Sequence, residues 1–132
     1  AGKYRGGCGL YREYTVNADG FVSLWFERSK TTAWGLFGGD SGQGPNVDIK
    51  HADGKNEKKL KANGMQIKSG TTITTHTGGG GGFEKASERN PSNVLNDVKN
   101  KYVSIKEAKD KYNVVISSDM IINNDLTKKL RE

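Results

Sequence analysis

The pattern of apolar and polar positions changes near residue 90. Before that point, short runs rich in aromatic and β-branched residues alternate with glycine-containing turns. Residues 11–16 and 21–26 are two such runs, and Asp19-Gly20 lies between them, which predicts a β-hairpin. Both faces of the second run carry apolar side chains, so we expect that strand to be covered on both sides.

Two further strand signals follow in the same region. Residues 47–51 and 56–60 flank Asp53-Gly54 and predict a second hairpin. Ser69-Gly70 then marks a turn, after which the threonine-rich residues 71–77 predict a strand.

After residue 89 the spacing becomes helical. Asn90-Pro91 offers a cap and a proline at the first helical position, followed by apolar residues at helical spacing. Ser104 to Glu107 matches a capping box for a second helix that would reach Tyr112. Residues 112–116 are extended in character, and residues 124–130 predict a last short helix. The pattern therefore predicts an α+β fold, with a mainly antiparallel β region through about residue 83 and then two or three short helices.

Composition sets the size of the core and the class of partner. The 132 residues are 33% hydrophobic, so we expect a single domain with a small core. The net charge is +6, but lysines alternate with acidic residues in segments 56–61 and 106–111, as on solvated surfaces, and arginines are few. We therefore expect no nucleic-acid partner. No run of about 18 apolar residues and no signal peptide is present, which favours a cytoplasmic protein that binds no membrane.

Few residues have the chemistry of a catalytic or metal site. Cys8 is the only cysteine; no base is close in sequence, so we expect it to be half-buried and dispensable for chemistry. His51 lies beside a turn, where we expect it to be exposed, and two isolated histidines predict no metal site. Gly39-Asp40-Ser41-Gly42 resembles the active-serine context of chymotrypsin-like proteases, but no histidine precedes it, so we interpret it as a turn.

The glycine run Gly78, Gly79, Gly80, Gly81 and Gly82 is the most unusual feature. Glycine weakens ordered structure by roughly 0.5–1 kcal/mol per residue relative to alanine, so five in a row require a reason. One hypothesis is a cradle for a phosphate or carboxylate, in which backbone N–H groups are freed at the end of the strand and the glycines take left-handed angles. The other is a close crossing of main chains. His76 directly precedes the run, and Arg28 could approach it.

Four segments, in this order, resemble the hydantoinase B/oxoprolinase family. Gly2–Gly9 with Arg12-Glu13-Tyr14 is similar to its "YRGG.G..REY" pattern, and Arg28 with residues 34–39 to "R....WGL.GG". Residues 77–83 match the "PGGGGYGDP" region, and residues 98–116 the "DV..G.VS.E.A...YGVV" tail. The resemblance spans nearly the whole chain. Glu84-Lys85-Ala86 replaces the family's Gly-Asp-Pro, and Asn113 replaces a glycine; asparagine tolerates the left-handed conformation.

The resemblance implies part of an ATP-dependent hydrolase that opens cyclic amides such as hydantoins or 5-oxoproline. It implies that ATP binds to a partner A subunit and that the complete enzyme holds a divalent metal at a site outside this chain, in which we expect no cofactor or metal site. Family B subunits are much longer, and this chain opens without Met, so we interpret it as the C-terminal segment of such a subunit, inactive alone. Its partners would be the remainder of the B subunit, the A subunit and the substrate.

The sequence assigns no catalytic residue. Candidates for contact with substrate or for lining the active site are Arg28, Trp34, His76 and the five glycines Gly78, Gly79, Gly80, Gly81 and Gly82, although a tryptophan such as Trp34 is more often part of a core. Three alternatives stay open: an assembly module that docks the A subunit, a component like those of acetone carboxylase, and a basic domain that binds an anion.

Overall fold

The computed structural model describes all 132 residues and contains six strands and three α-helices. The strands are β1 (Tyr11–Thr15), β2 (Gly20–Trp25), β3 (Asn46–Lys50), β4 (Asn56–Lys58), β5 (Lys61–Ile67) and β6 (Thr72–His76). The helices are α1 (Pro91–Lys99), α2 (Ile105–Tyr112) and α3 (Asn124–Arg131). The α+β fold class is confirmed, with antiparallel pairing between all neighbouring strands and helices in the last third.

The chain divides into two compact units. The sheet unit comprises Gly9–Ala33 and Gln43–Gly79 and contains all six strands. The helical unit comprises Ala1–Cys8, Trp34–Gly42 and Gly80–Glu132. The helical unit thus includes two N-terminal segments that the sequence analysis assigned to the β region.

The sheet unit contains a four-stranded sheet in the order β1-β6-β3-β4 and a two-stranded ribbon of β2 and β5. Its core consists of side chains that alternate along the strands, as period-2 strands require. The buried residues are Leu24, Val47, Ile49, Ile67 and Ile73.

The predicted hairpin of β1 with β2 is wrong. β1 pairs with β6, and β2 pairs with β5. Asp19 does not close a β1–β2 turn; its carboxylate accepts hydrogen bonds from the Lys68 ammonium (2.7 Å) and the Ser69 amide (2.9 Å) beyond β5. Non-local pairing of this kind leaves no mark in the local pattern, because a short loop can also join strands that belong to different sheets.

The prediction that the second strand is covered on both sides is also wrong. Leu24 is buried, but Phe21 and Trp25 on the opposite face are 75% and 73% exposed. In contrast, the second hairpin is confirmed: β3 pairs with β4 and Gly54 takes a left-handed φ of 86° in the turn. The threonine-rich strand is confirmed as β6.

The helix boundaries follow the predicted caps. The Asn90 side chain accepts a hydrogen bond from the Ser92 amide, and Pro91 occupies the first turn of α1. Ser104 and Glu107 form the predicted reciprocal capping box of α2. The helical unit has its own buried core, made of Val94, Val98, Val103, Ala108, Tyr112, Val114 and Ile116.

Asn113 ends α2 in the left-handed conformation, with φ 55° and ψ 39°. The extended segment therefore begins after this residue and not at Tyr112, which is the last residue of the helix. Asparagine accepts this conformation better than most residues, and its Nδ2 also donates a hydrogen bond to the Leu130 carbonyl at 3.0 Å.

We predict that Asn113→Ala destabilises the chain by about 1–3 kcal/mol, since alanine resists the left-handed angles and loses the bond to Leu130. Asn113→Gly loses only the bond and should cost less than about 1.5 kcal/mol. Urea unfolding of both variants measures the difference. An alanine variant as stable as the parent would contradict the role assigned to the cap.

Candidate functional site

The backbone N–H groups of the glycine run are mostly engaged. Within the sheet unit, the Gly79 amide donates to the Gln43 carbonyl at 3.0 Å. Within the helical unit, Gly80 donates to the Gly7 carbonyl at 2.9 Å and Gly82 to the Asp40 carbonyl at 2.8 Å. The prediction of freed donors is therefore wrong for these three residues, and the run does not have the geometry of a phosphate cradle.

The prediction of left-handed angles is wrong as well. Positive φ among the glycines occurs only at Gly38, Gly54, Gly64 and Gly70, outside the run. The need for glycine comes from close approach. A Cβ on Gly82 would stand 1.8 Å from the Ala1 carbonyl oxygen, and one on Gly81 would stand 2.1 Å from the Trp34 carbonyl oxygen.

The close approach is reciprocal. A Cβ on Gly6 would lie 2.2 Å from the Gly80 oxygen, and one on Gly39 would lie 2.2 Å from the Gly82 oxygen. Three segments of the helical unit, residues 1–7, 34–40 and 80–84, thus stack main chain against main chain, and we call them the glycine layer. The hydrogen that replaces Cβ points toward a carbonyl oxygen, the arrangement of a weak Cα–H···O contact.

A surface cleft of about 300 Å³ lies in the sheet unit and brings together three of the predicted site residues, Arg28, Gly78 and Gly79. The Arg28 backbone is left-handed, with φ 59°, and its Nη2 donates to the Thr32 carbonyl at 3.0 Å. The other lining residues are Trp25, Phe26, Glu27, Thr32, Ala33, Gln43, Pro45 and Thr77.

The remaining predicted site residues lie elsewhere. His76 is exposed at the end of β6, outside the lining of the cleft, and its ring meets the Tyr11 ring edge-on at 5.0 Å. Trp34 belongs to the helical unit and is 65% exposed, so the expectation that it is part of the core is wrong. Gly80, Gly81 and Gly82 also belong to the helical unit, where they form the glycine layer.

His51 and Cys8 differ from their predicted environments. His51 is half-buried, and its Nε2 lies 3.2 Å from the Glu57 carboxylate. The pKa of Glu57 is lowered, chiefly by a hydrogen bond from Lys59 and next by the one from His51. Cys8 is exposed rather than half-buried, and the Arg5 guanidinium donates to its sulfur at 3.2 Å. The Cys8 thiol therefore has a cation beside it, the guanidinium of a residue three positions earlier in the chain.

The residues present do not fit the divalent metal that the sequence resemblance implies for a complete enzyme. No three side chains of His, Cys, Asp or Glu lie together in a way that could hold a metal ion. Nor does any helix have the length and apolar character needed to cross a membrane.

Sequence reasoning missed part of the cleft. Trp25, Gln43 and Thr77 line it together with Arg28. The sequence offered one indication, the apolar Trp25 on the face of β2 opposite Leu24. We interpreted that face as buried from the sequence. The pairing of β2 with β5 is what leaves Trp25 at the surface.

Comparison with known proteins identifies the family. The model of the hydantoinase B/oxoprolinase family matches residues 1–86, about two thirds of the chain. The chain belongs to the hydantoinase B/oxoprolinase family. Glu84, which replaces the glycine of the Gly-Asp-Pro pattern named in the sequence analysis, has a left-handed φ of 59°.

Related proteins are much longer than this chain. An uncharacterized protein of Methanocaldococcus jannaschii is 37% identical over 99% of the chain, which spans 24% of that protein. The putative B subunit of a D-/L-hydantoinase from Pseudomonas sp. (strain NS671) is 31% identical over 99% of the chain, which spans 22% of it. The chain therefore spans about a quarter of the length of these relatives.

Two solved structures share the fold. The ATP-dependent caprolactamase from Pseudomonas jessenii matches 99% of the chain with a TM-score of 0.79 and 25% identity, and the chain spans 24% of it. A nucleotide-free acetone carboxylase matches 99% of the chain with a TM-score of 0.75 and 21% identity, and the chain spans 22% of it.

We predict that Gly82→Ala destabilises the protein by about 3 kcal/mol or more, because the added methyl group meets backbone that cannot move aside cheaply. Gly7→Ala is the matched control: it lies in the same layer, but no atom stands within 4 Å of its Cβ position. Its effect should stay within about 0.5–1 kcal/mol. Equal effects in thermal or urea unfolding would contradict the packing role of Gly82.

Proposed function

We propose that the chain is the C-terminal segment of the B subunit of an ATP-dependent hydrolase of cyclic amides, of the hydantoinase or 5-oxoprolinase type, and that it is inactive alone. The supporting observation is the family match together with the likeness to a caprolactamase, which covers 99% of the chain. The putative hydantoinase component among the relatives supports the same reaction class.

The side chains present support the second half of the proposal. Opening a cyclic amide requires attack on the carbonyl carbon and a proton for the departing nitrogen. The contacts of the two histidines are with other groups: His51 is hydrogen-bonded to Glu57, and the His76 ring meets the Tyr11 ring edge-on. Cys8 has a cation beside it and no base. The remainder of the subunit would have to supply the reacting groups.

The contribution of this chain would be a wall of the substrate site. Arg28 presents a guanidinium, which suits a carboxylate or a developing oxyanion. The Trp25 ring can cover a flat ring or an apolar chain, and Gly78 and Gly79 let a ligand approach the main chain. We keep His76 in the sheet unit, and separately Trp34, Gly80, Gly81 and Gly82 in the helical unit, as candidates for contact with substrate in the complete enzyme.

In this proposal ATP and the partner subunit belong to the complete enzyme and not to this chain. ATP would bind to an A-type subunit, and a divalent metal would be held by residues outside this chain. We place the assembled enzyme in the cytoplasm. The partners of the segment would then be the rest of the B subunit, the A subunit and a small cyclic amide.

One other function has an observation in its favour: a non-catalytic assembly module. Large aromatic side chains stay exposed in both units, including Phe21, Trp25, Trp34 and Phe37. An assembly role predicts that changes in the cleft leave catalysis unaffected. The likeness to acetone carboxylase shows a shared fold alone. A basic anion-binding domain is disfavoured because eight lysines are paired with carboxylates.

We predict that the purified 132-residue chain folds but does not hydrolyse hydantoin, 5-oxoproline or caprolactam, with or without ATP, because its cysteine and its two histidines form no nucleophile–base pair. The complete B subunit with its A subunit should hydrolyse at least one of them. The amino acid or carbamoyl product is measured by chromatography. Product from the chain alone would count against the proposal, and so would the absence of product from both preparations.

We predict that Arg28→Gln in the complete enzyme lowers kcat/KM at least tenfold, mostly through KM, which corresponds to about 1.4 kcal/mol of lost binding. Arg12→Gln is the control, since Arg12 is also an exposed arginine of the sheet unit but lies outside the cleft. Both variants should stay folded, since the hydrogen bond to the Thr32 carbonyl that Arg28→Gln loses is exposed. Unchanged kinetics for Arg28→Gln would favour the assembly module.

A further inference from the structure

Three aromatic side chains form a cluster on the helical unit: Tyr4, Phe37 and Phe83. The Phe37 and Phe83 rings meet edge-on at 5.2 Å, and the Tyr4 and Phe83 rings lie 6.1 Å apart. All three are exposed, Phe37 to 76% and Tyr4 to 61%. Exposed aromatic groups held together in this way are typical of a binding surface.

The glycine layer fixes the position of this cluster. Tyr4 and Phe83 occupy an antiparallel bridge, with hydrogen bonds of 3.1 and 3.0 Å in the two directions. Leu36 pairs with Phe83 on its other side. Tyr4, Phe37 and Phe83 all belong to the glycine layer, in which the main chains pack directly against one another. The backbone that carries the three rings is therefore held in place.

Phe37 has a backbone conformation that is unfavourable for a bulky residue. It has φ 51° and Gly38 has φ 92°, and the Gly39 amide donates to the Leu36 carbonyl at 3.0 Å. Two successive positive φ values, enclosed by a hydrogen bond between the residues on either side, define a type I′ turn. The first central position of such a turn, here Phe37, favours Asn, Asp or Gly. A bulky residue in this position is unusual, and strain of this kind collects at functional sites.

A charged rim borders the cluster. Lys3 pairs with Glu84 at 2.7 Å and with Glu88 at 3.6 Å, and its ammonium lies 6.0 Å from the centre of the Tyr4 ring. An apolar centre with a polar rim is the composition of a protein–protein interface. Mixed signs in the rim disfavour a nucleic acid or an anionic membrane as the occupant.

We propose that the Tyr4–Phe37–Phe83 cluster is the surface on which the remaining polypeptide of a B-type subunit docks. The inference rests on the proposed function. Its support is the length of the relatives: about three quarters of each lies outside the part that this chain matches, while 99% of the chain itself is matched. The exposed Phe37 ring would insert into an apolar surface of that polypeptide.

The test places the photo-crosslinking amino acid benzoylphenylalanine at position 37 of the complete B subunit. We expect cross-links to polypeptide outside the 132 residues, identified by mass spectrometry, at a yield at least tenfold above that from position 129. Lys129 is a solvated site on α3 of the same unit. Cross-links confined to the 132 residues, cross-links to a second copy, or a yield equal to that from position 129 would overturn the inference.

A second variant separates docking from folding. Phe37→Asn suits the type I′ turn, so the 132-residue chain alone should keep or raise its Tm, whereas the complete subunit should lose several degrees. An equal loss in both would mean that Phe37 acts only within this chain and would overturn the proposal. Neither readout needs activity, so an inactive complete enzyme with the expected cross-links would refute the proposed function and leave the docking surface standing.

Discussion

Direct contact between main chains is the constraint on which the helical unit depends. At Gly6, Gly39, Gly81 and Gly82 a Cβ would lie about 2 Å from a carbonyl oxygen, well inside the distance that real Cβ atoms show. Packing at this distance gains hydrogen bonds and Cα–H···O contacts but excludes every other residue type. Ordering so many glycines costs much backbone entropy. The contacts that offset this cost form only when three segments that are far apart in sequence come together.

This constraint also accounts for what the unit displays. A layer with no side chains between its segments has no room to bury large ones, so Phe37 remains exposed beside it and Trp34 projects from the same segment. The core of the unit forms instead among the helices, around Val94 and Tyr112. The helical unit therefore combines closely packed backbone with a small core formed by its helices.

The sequence predicts local features well and non-local pairing poorly. The caps at Asn90 and Ser104 were readable because each cap and its partner lie within three residues. The pairing of β1 with β6 was not, since its residues are about 60 positions apart and no short loop marks them. Arg28 and Gly78 line one cleft through the same long-range arrangement. Of the two hypotheses for the glycine run, the close crossing of main chains is confirmed and the cradle with freed amides is wrong.

Amide hydrogen exchange tests the central claim, that the glycine layer is a cooperative part of the folded helical unit. The account predicts that the amides of Leu36, Gly80, Gly82 and Phe83 exchange as slowly as the amide of Val98 in α1, because releasing any of them requires the three segments to separate. Exchange of these four amides close to the rate of an unfolded chain, with Val98 still protected, would contradict it.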